Sequence, residues 1–127
     1  MKKPVHTNAA PAAIGPYSQA IRAGDFLFIS GQLGLDPATK KIVEGGVLFE
    51  AERALMNIGA ILEAAGGTFA HVVKTTVLLQ SMDDFSRLNE VYARFFSGEF
   101  PARAAYQVAR LPLGALVEIE AIAYLGA

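Results

Sequence analysis

From Val117 to Ala121 the chain alternates strictly, Val-Glu-Ile-Glu-Ala, within a C-terminal quarter that is otherwise almost free of charge. Between Pro101 and Ala127 only four residues are charged: Arg103, Arg110, Glu118 and Glu120. Successive strand side chains point to opposite faces, so Glu118 and Glu120 share one face and Val117, Ile119 and Ala121 the other. The fold must therefore contain a sheet with one packed face and one face bearing carboxylates. Two residues along a strand span roughly 6.6 Å, so the two carboxylates are close without needing to touch. Charges set in apolar strands are rarely fully buried unless paired. Arg103 and the glutamates are thus either a structural ion pair or two parts of a site, and the spacing alone leaves both glutamates free to be simply solvated.

The rest of the chain supplies what covers that sheet. Residues 1–14 read as an extended N-terminal arm, because Pro11, Gly15 and Pro16 punctuate a run of small residues. Residues 17–23 and 26–30 read as two short strands around a Gly24-Asp25 turn. Gly31, directly after Ser30, marks a bulge or a close backbone approach. From Leu48 to Ala65 the apolar residues Ala51, Ala54, Leu55, Ile58, Ile61 and Leu62 keep helical spacing, and Gly66-Gly67 closes the helix. Val72 to Leu79 is a β-branched strand. Ser81 caps a second amphipathic helix carrying Phe85, Leu88, Tyr92, Phe95 and Phe96 and stopped by Gly98. Residues 104–109 and 116–125 are the last two strands. The order β-β-α-β-α-β-β predicts a single α+β domain over residues 1–127, a mixed, mostly antiparallel sheet with both helices on one face.

The other face needs a cover. Hydrophobic residues make up 53% of the 127 and charged residues 18%, more apolar than an average soluble domain. No apolar run reaches the ~18 residues of a membrane span, so burial between subunits is expected, in a homo-oligomer. Eleven Lys and Arg against 12 Asp and Glu give a net charge of −1 without a basic stripe, which argues against nucleic acid as a partner. Cysteine is absent, which removes disulfides, thiolate metal sites and a thiol nucleophile. His6 and His71 are isolated, and no metal-ligand spacing or phosphate loop occurs. The N-terminus lacks the apolar core of a signal peptide, so a cytoplasmic location is the default expectation.

A planar guanidinium such as that of Arg103 suits two-bond capture of a carboxylate or phosphate. Tyr17, Ser18 and Ser30 place hydroxyls beside glycines, where they can line a pocket or simply form turns. Asn89 follows the apolar Leu88 on the second helix.

Taken together, Gly15-Pro16-Tyr17-Ser18-Gln19, Ile29-Ser30-Gly31-Gln32, Val73-Lys74-Thr75-Thr76-Val77, Asp84-Phe85 with Asn89, Pro101-Ala102-Arg103, Leu111-Pro112 and Glu118-Ile119-Glu120-Ala121-Ile122-Ala123 resemble the Rid family. The resemblance is to its RidA branch, the reactive-intermediate (2-iminobutanoate/2-iminopropanoate) deaminases, and runs from residue 8 to the C-terminus. It implies a chorismate-mutase-like (ferredoxin-like) fold in a homotrimer with active sites between subunits. It implies hydrolysis of small 2-imino or enamine acids to 2-oxo acids and ammonia, without metal or cofactor. Arg103 would bind the substrate carboxylate and Glu118 would position water. Tyr17, Ser30, Gly31 and Asn89 match pocket positions, and Ala105 stands where many members carry cysteine, a position used through its backbone. The family also carries an endoribonuclease or translation-inhibitor activity. A non-catalytic trimer that binds a carboxylate metabolite is the remaining alternative.

Overall fold

The computed structural model describes residues 1–126. Six strands and two helices follow in the order β1 (Lys3–Val5), β2 (Ala20–Ala23), β3 (Phe26–Leu33), α1 (Val47–Ala64), β4 (Val72–Leu79), α2 (Phe85–Ala93), β5 (Ala102–Gln107) and β6 (Val117–Tyr124). The strands form one sheet in the order β1-β2-β3-β6-β4-β5. All pairings are antiparallel except β4 with β5, which run parallel because α2 crosses over between them.

The alternation in β6 sorts the two faces as its sequence demands. Val117, Ile119, Ala121 and Ala123 are buried under the helices, whereas Glu118, Glu120, Ile122 and Tyr124 point to the opposite, open face. The apolar stripe of α1, with Ala51, Ala54, Leu55, Ile58, Ile61 and Leu62 all at 0–1% exposure, packs on Leu27, Ile29, Val77, Leu79 and Ile119. The helix stops at paired glycines: Gly67 N–H donates to Leu62 O at 2.8 Å, and Gly66 adopts the left-handed φ of 83° that such a stop requires. The open face carries an aromatic patch. Phe26 and Tyr124 meet edge to face at 5.2 Å, with Phe28 beside them, and all three keep 40–45% of their surface exposed.

Several boundaries differ from the sequence reading: β3 runs through the bulge to Leu33 rather than stopping at 30, and β5 is Ala102–Gln107 rather than 104–109. The N-terminal arm is not wholly irregular: Lys3–Val5 adds a sixth strand against Ala20–Arg22, and its edge position tolerates Pro4. Residues 17–19 do not join β2. The Gln19 side chain leaves the sheet to hold the arm, accepting from Thr7 N–H and donating to the carbonyls of Thr7, Ala10 and Pro11. α2 ends at Ala93, and Phe96 reaches the core from the turn that follows.

Candidate active site

The bulge expected at Gly31 is present: the β3–β6 register shifts between Ile29 and Gln32. Ser30 is fixed there from both sides, its hydroxyl donating to Ser18 O at 2.6 Å and its N–H to Gln19 O at 3.0 Å. A Cβ on Gly31 would overlap the Glu118 carboxylate. Glycine at this position is therefore what lets a carboxylate lie against the backbone of the neighbouring strand.

Glu118 and Glu120 open into a cavity of about 630 Å³, whose walls include Tyr17, Ser30, Gly31, Ile14, Pro112 and Leu113. Glu118 is half-buried and accepts no hydrogen bond among the described residues, while Glu120 is exposed. Burial, reinforced by the neighbouring charge of Glu120, pushes the Glu118 carboxyl above the ordinary carboxylate range. A carboxylate desolvated in this way is a stronger base than a free one and is free to hold a water. The two left-handed non-glycine residues among the described residues, Lys40 (φ 62°) and Leu113 (φ 57°), both line the cavity. Sequence reasoning did not select them as site residues; the turn signals Asp36-Pro37 before Lys40 and Pro112 and Gly114 around Leu113 are what it offered.

Arg103 lies elsewhere. Its strand partner in β4 is Thr75, whose partner in β6 is Ala121, a residue of the helix-covered face. Glu118 is paired with Leu78 and Glu120 with Thr76, both on the open face. Within one protomer Arg103 and Ala105 therefore occupy the face opposite to Glu118, and no ion pair links them. The Arg103 guanidinium instead donates through Nη1 to Asn89 Oδ1 at 2.8 Å and rests against the rings of Phe85 and Tyr92. Ala105 sits two residues along on the same face, opposite Val77. The predicted site residues thus fall into two clusters, Tyr17, Ser30, Gly31 and Glu118 on one side and Asn89, Arg103 and Ala105 on the other. Of the two readings open for Arg103, the intramolecular ion pair is the one this geometry removes. The first cluster offers a base in a partly apolar cavity, and the second a fixed cation able to take a carboxylate.

Known proteins resemble the chain along its whole length. Residues 7–125 match the family model described as Endoribonuclease L-PSP. A bovine protein named 2-iminobutanoate/2-iminopropanoate deaminase is 59% identical over 126 residues, covering 99% of this chain and 92% of its own. The mouse protein of the same name is 58% identical, covering 99% and 93%. The crystal structure of RidA from the Antarctic bacterium Psychrobacter sp. PAMC 21119 superposes with a TM-score of 0.93 at 51% identity, covering 96% of this chain and 98% of that one.

Proposed function

The chain belongs to the endoribonuclease L-PSP (Rid) family, and from that premise we propose that it is a 2-iminobutanoate/2-iminopropanoate deaminase, which hydrolyses reactive imino acids to 2-oxo acids and ammonia. The observation that carries the mechanism is the half-buried Glu118 carboxylate, raised in pKa and lying against Gly31 in the cavity wall.

The substrate is itself a good electrophile once its nitrogen is protonated, so the protein's task is to place water, base and substrate together. Arg103 holds the substrate carboxylate through paired N–H···O bonds. Glu118 orients a water and takes its proton as the oxygen attacks the imine carbon. Glu118 returns that proton to the carbinolamine nitrogen, the C–N bond breaks and ammonia leaves, and the hydroxyl gives its proton back to Glu118 as the C=O bond of the 2-oxo acid forms, the departing ammonia finally taking it up. Tyr17 and Ser30 shape the wall on the Glu118 side; Asn89 steadies Arg103, with Ala105 beside it contributing backbone. An apolar wall discriminates one methylene by only about 1–3 kcal/mol, so short alkyl imino acids are accepted together.

Because Arg103 and Glu118 occupy opposite faces of one protomer, this reading requires that one copy supply the cation and a neighbour the base. The aromatic patch of Phe26, Phe28 and Tyr124 supports burial of the open face in such an assembly, and a homotrimer with three intersubunit sites satisfies it. No helix among the described residues is long and apolar enough to cross a membrane, and the reading places the protein in the cytoplasm beside the amino-acid enzymes that release imines. The endoribonuclease reading fits the cavity less well, because Glu118 and Glu120 repel a phosphate backbone. Carboxylate sensing gives no reason for a desolvated base in the wall.

Ammonia release from 2-iminobutanoate, generated in place by an amino-acid oxidase or dehydratase, tests the proposal. The wild type accelerates it, and folded Arg103→Ala and Glu118→Gln do not. A wild-type trimer without acceleration would return the site to carboxylate binding.

A further inference from the structure

The Arg103 guanidinium is gripped by one face of a helix. Phe85, Asn89 and Tyr92 lie on a single stripe of α2, and all three touch it. Its central carbon is 5.1 Å from the Phe85 ring centroid and 4.8 Å from that of Tyr92, and Nη1 donates to Asn89 Oδ1 at 2.8 Å. Behind the guanidinium the Tyr92 hydroxyl is locked to the Thr75 hydroxyl at 2.6 Å in a buried pair. Thr75 is the strand partner of Arg103 itself, so the tether returns to the strand that carries the cation. The sequence pattern accounts for Phe85 and Tyr92 as apolar helix positions only. Tyr92 is indeed buried, whereas Phe85 is only partly buried at the edge of the core, with the guanidinium over its ring.

We propose that Phe85 and Tyr92, the latter tethered by Thr75, form an aromatic cradle that sets the plane of the Arg103 guanidinium and so act as positioning residues for the substrate carboxylate. The inference deepens the deaminase reading and rests on Arg103 as its carboxylate site. A guanidinium carries five N–H donors in a fixed fork, and a single bond to Asn89 would leave that fork free to swing about it. Ring faces attract the cation and oppose that swing. The remaining N–H groups are then presented in one plane, the arrangement a two-bond carboxylate clamp needs. Aliphatic residues at 85 and 92 would fill the same space without fixing the plane.

Calorimetric titration with 2-oxobutanoate, the product that keeps the carboxylate, measures the cradle directly, alongside kinetics on 2-iminobutanoate. Phe85→Leu is the main variant because that ring is partly exposed; Tyr92→Phe keeps the ring and removes only the tether. Phe85→Leu is expected to weaken 2-oxobutanoate binding and raise KM about 5- to 30-fold, in line with loss of a partly desolvated cation–ring contact, with kcat within about threefold of wild type. Tyr92→Phe is expected to give a smaller rise, about two- to fivefold. In an Arg103→Ala background neither substitution changes binding further. The cradle is overturned if Phe85→Leu binds product as wild type does, or if its loss is as large without Arg103. If Arg103→Ala itself binds 2-oxobutanoate as tightly as wild type, the carboxylate assignment falls first and the cradle with it, an outcome the single variant identifies separately.

Discussion

Gly31→Ala is a clean way to move the Glu118 carboxylate without touching it. Gly31 does not adopt a left-handed backbone, so alanine brings no conformational penalty of its own. The added Cβ would overlap the Glu118 carboxylate oxygen and stand 2.8 Å from its Cδ and 3.1 Å from its Cγ. Carbon atoms pack at about 3.5–4.0 Å, so the carboxyl group must retreat by about 1 Å. The obstacle is the end of a flexible side chain, which yields by changing rotamer at a cost of about 0.5–1.5 kcal/mol. The stiffer unfolded chain of the alanine variant returns about 0.4–1 kcal/mol. Stability measured by denaturant unfolding should therefore stay within about 1 kcal/mol of wild type. Catalysis has no such compensation. A displacement of about 1 Å in a reacting group costs on the order of 10²-fold, which is about 2.7 kcal/mol of barrier. The coupled ammonia assay should thus show kcat for 2-iminobutanoate down about 100-fold with KM nearly unchanged. In a Glu118→Ala background the added methyl has nothing to displace, and Gly31→Ala should cost less than about threefold. An equal loss in both backgrounds would refute the reasoning and assign Gly31 a direct contact with substrate instead.

Glu118→Gln should lower kcat about 10²- to 10⁴-fold and, at neutral pH, raise stability, because the folded wild type holds a desolvated carboxylate. The sign follows from linkage: the folded carboxyl binds its proton more tightly than its unfolded value of 4.5, so wild-type stability is greatest below that pH and falls as pH rises through the folded value. Denaturation midpoints of wild type and variant should converge in acid and separate above it, and a constant offset would contradict this. Thr75→Val leaves the Tyr92 hydroxyl buried without a partner and should cost about 1–3 kcal/mol in denaturant unfolding; a loss below about 0.5 kcal/mol would mean that water replaces the threonine. Phe28→Glu places a charge in the open-face patch; sedimentation should show a folded monomer, and the ammonia assay no activity.

The helices were legible because their apolar residues recur at helical spacing, and Gly66-Gly67 marks the stop of the first. Phe95 and Phe96 extended the second pattern beyond the true end at Ala93 because a turn residue can reach the core as well as a helical one. β1 left no signal: three residues cannot display a period, and only pairing with β2 makes them a strand. On the site side, local rules found the bulge and its glycine. They also placed Glu118 and Glu120 on one face, because parity along a single strand is local information. Parity cannot relate one strand to another. Whether Arg103 faces with or against Glu118 depends on the registers of β5 on β4 and β4 on β6, which are set by contacts far apart in sequence. The same limit hid the grip of α2 on the guanidinium.

That register has a consequence for assembly. Glu118 on β6 and Arg103 on β5 are separated by β4, about 10 Å across the strands, and their partners Leu78 and Thr75 lie three residues or about 10 Å apart along it, so the two backbones are roughly 14 Å apart, with side chains leaving in opposite directions. A four-carbon acid cannot touch both in one protomer. If activity needs both groups, each active site draws Arg103 from one subunit and Glu118 from the next. Mixing then becomes diagnostic. The Arg103→Ala and Glu118→Gln proteins, each expected to be inactive alone, are unfolded together in equal amounts and refolded. In a randomly assembled cyclic trimer, half of the sites receive an intact arginine, and half of those an intact glutamate, so about one quarter of wild-type activity should return. Were both groups drawn from one subunit, every site would carry one defect or the other whatever the mixture, and no activity would return. Recovery near one quarter would show that the two faces of this sheet meet only through a neighbour, and its absence from well-mixed trimers would remove the shared site.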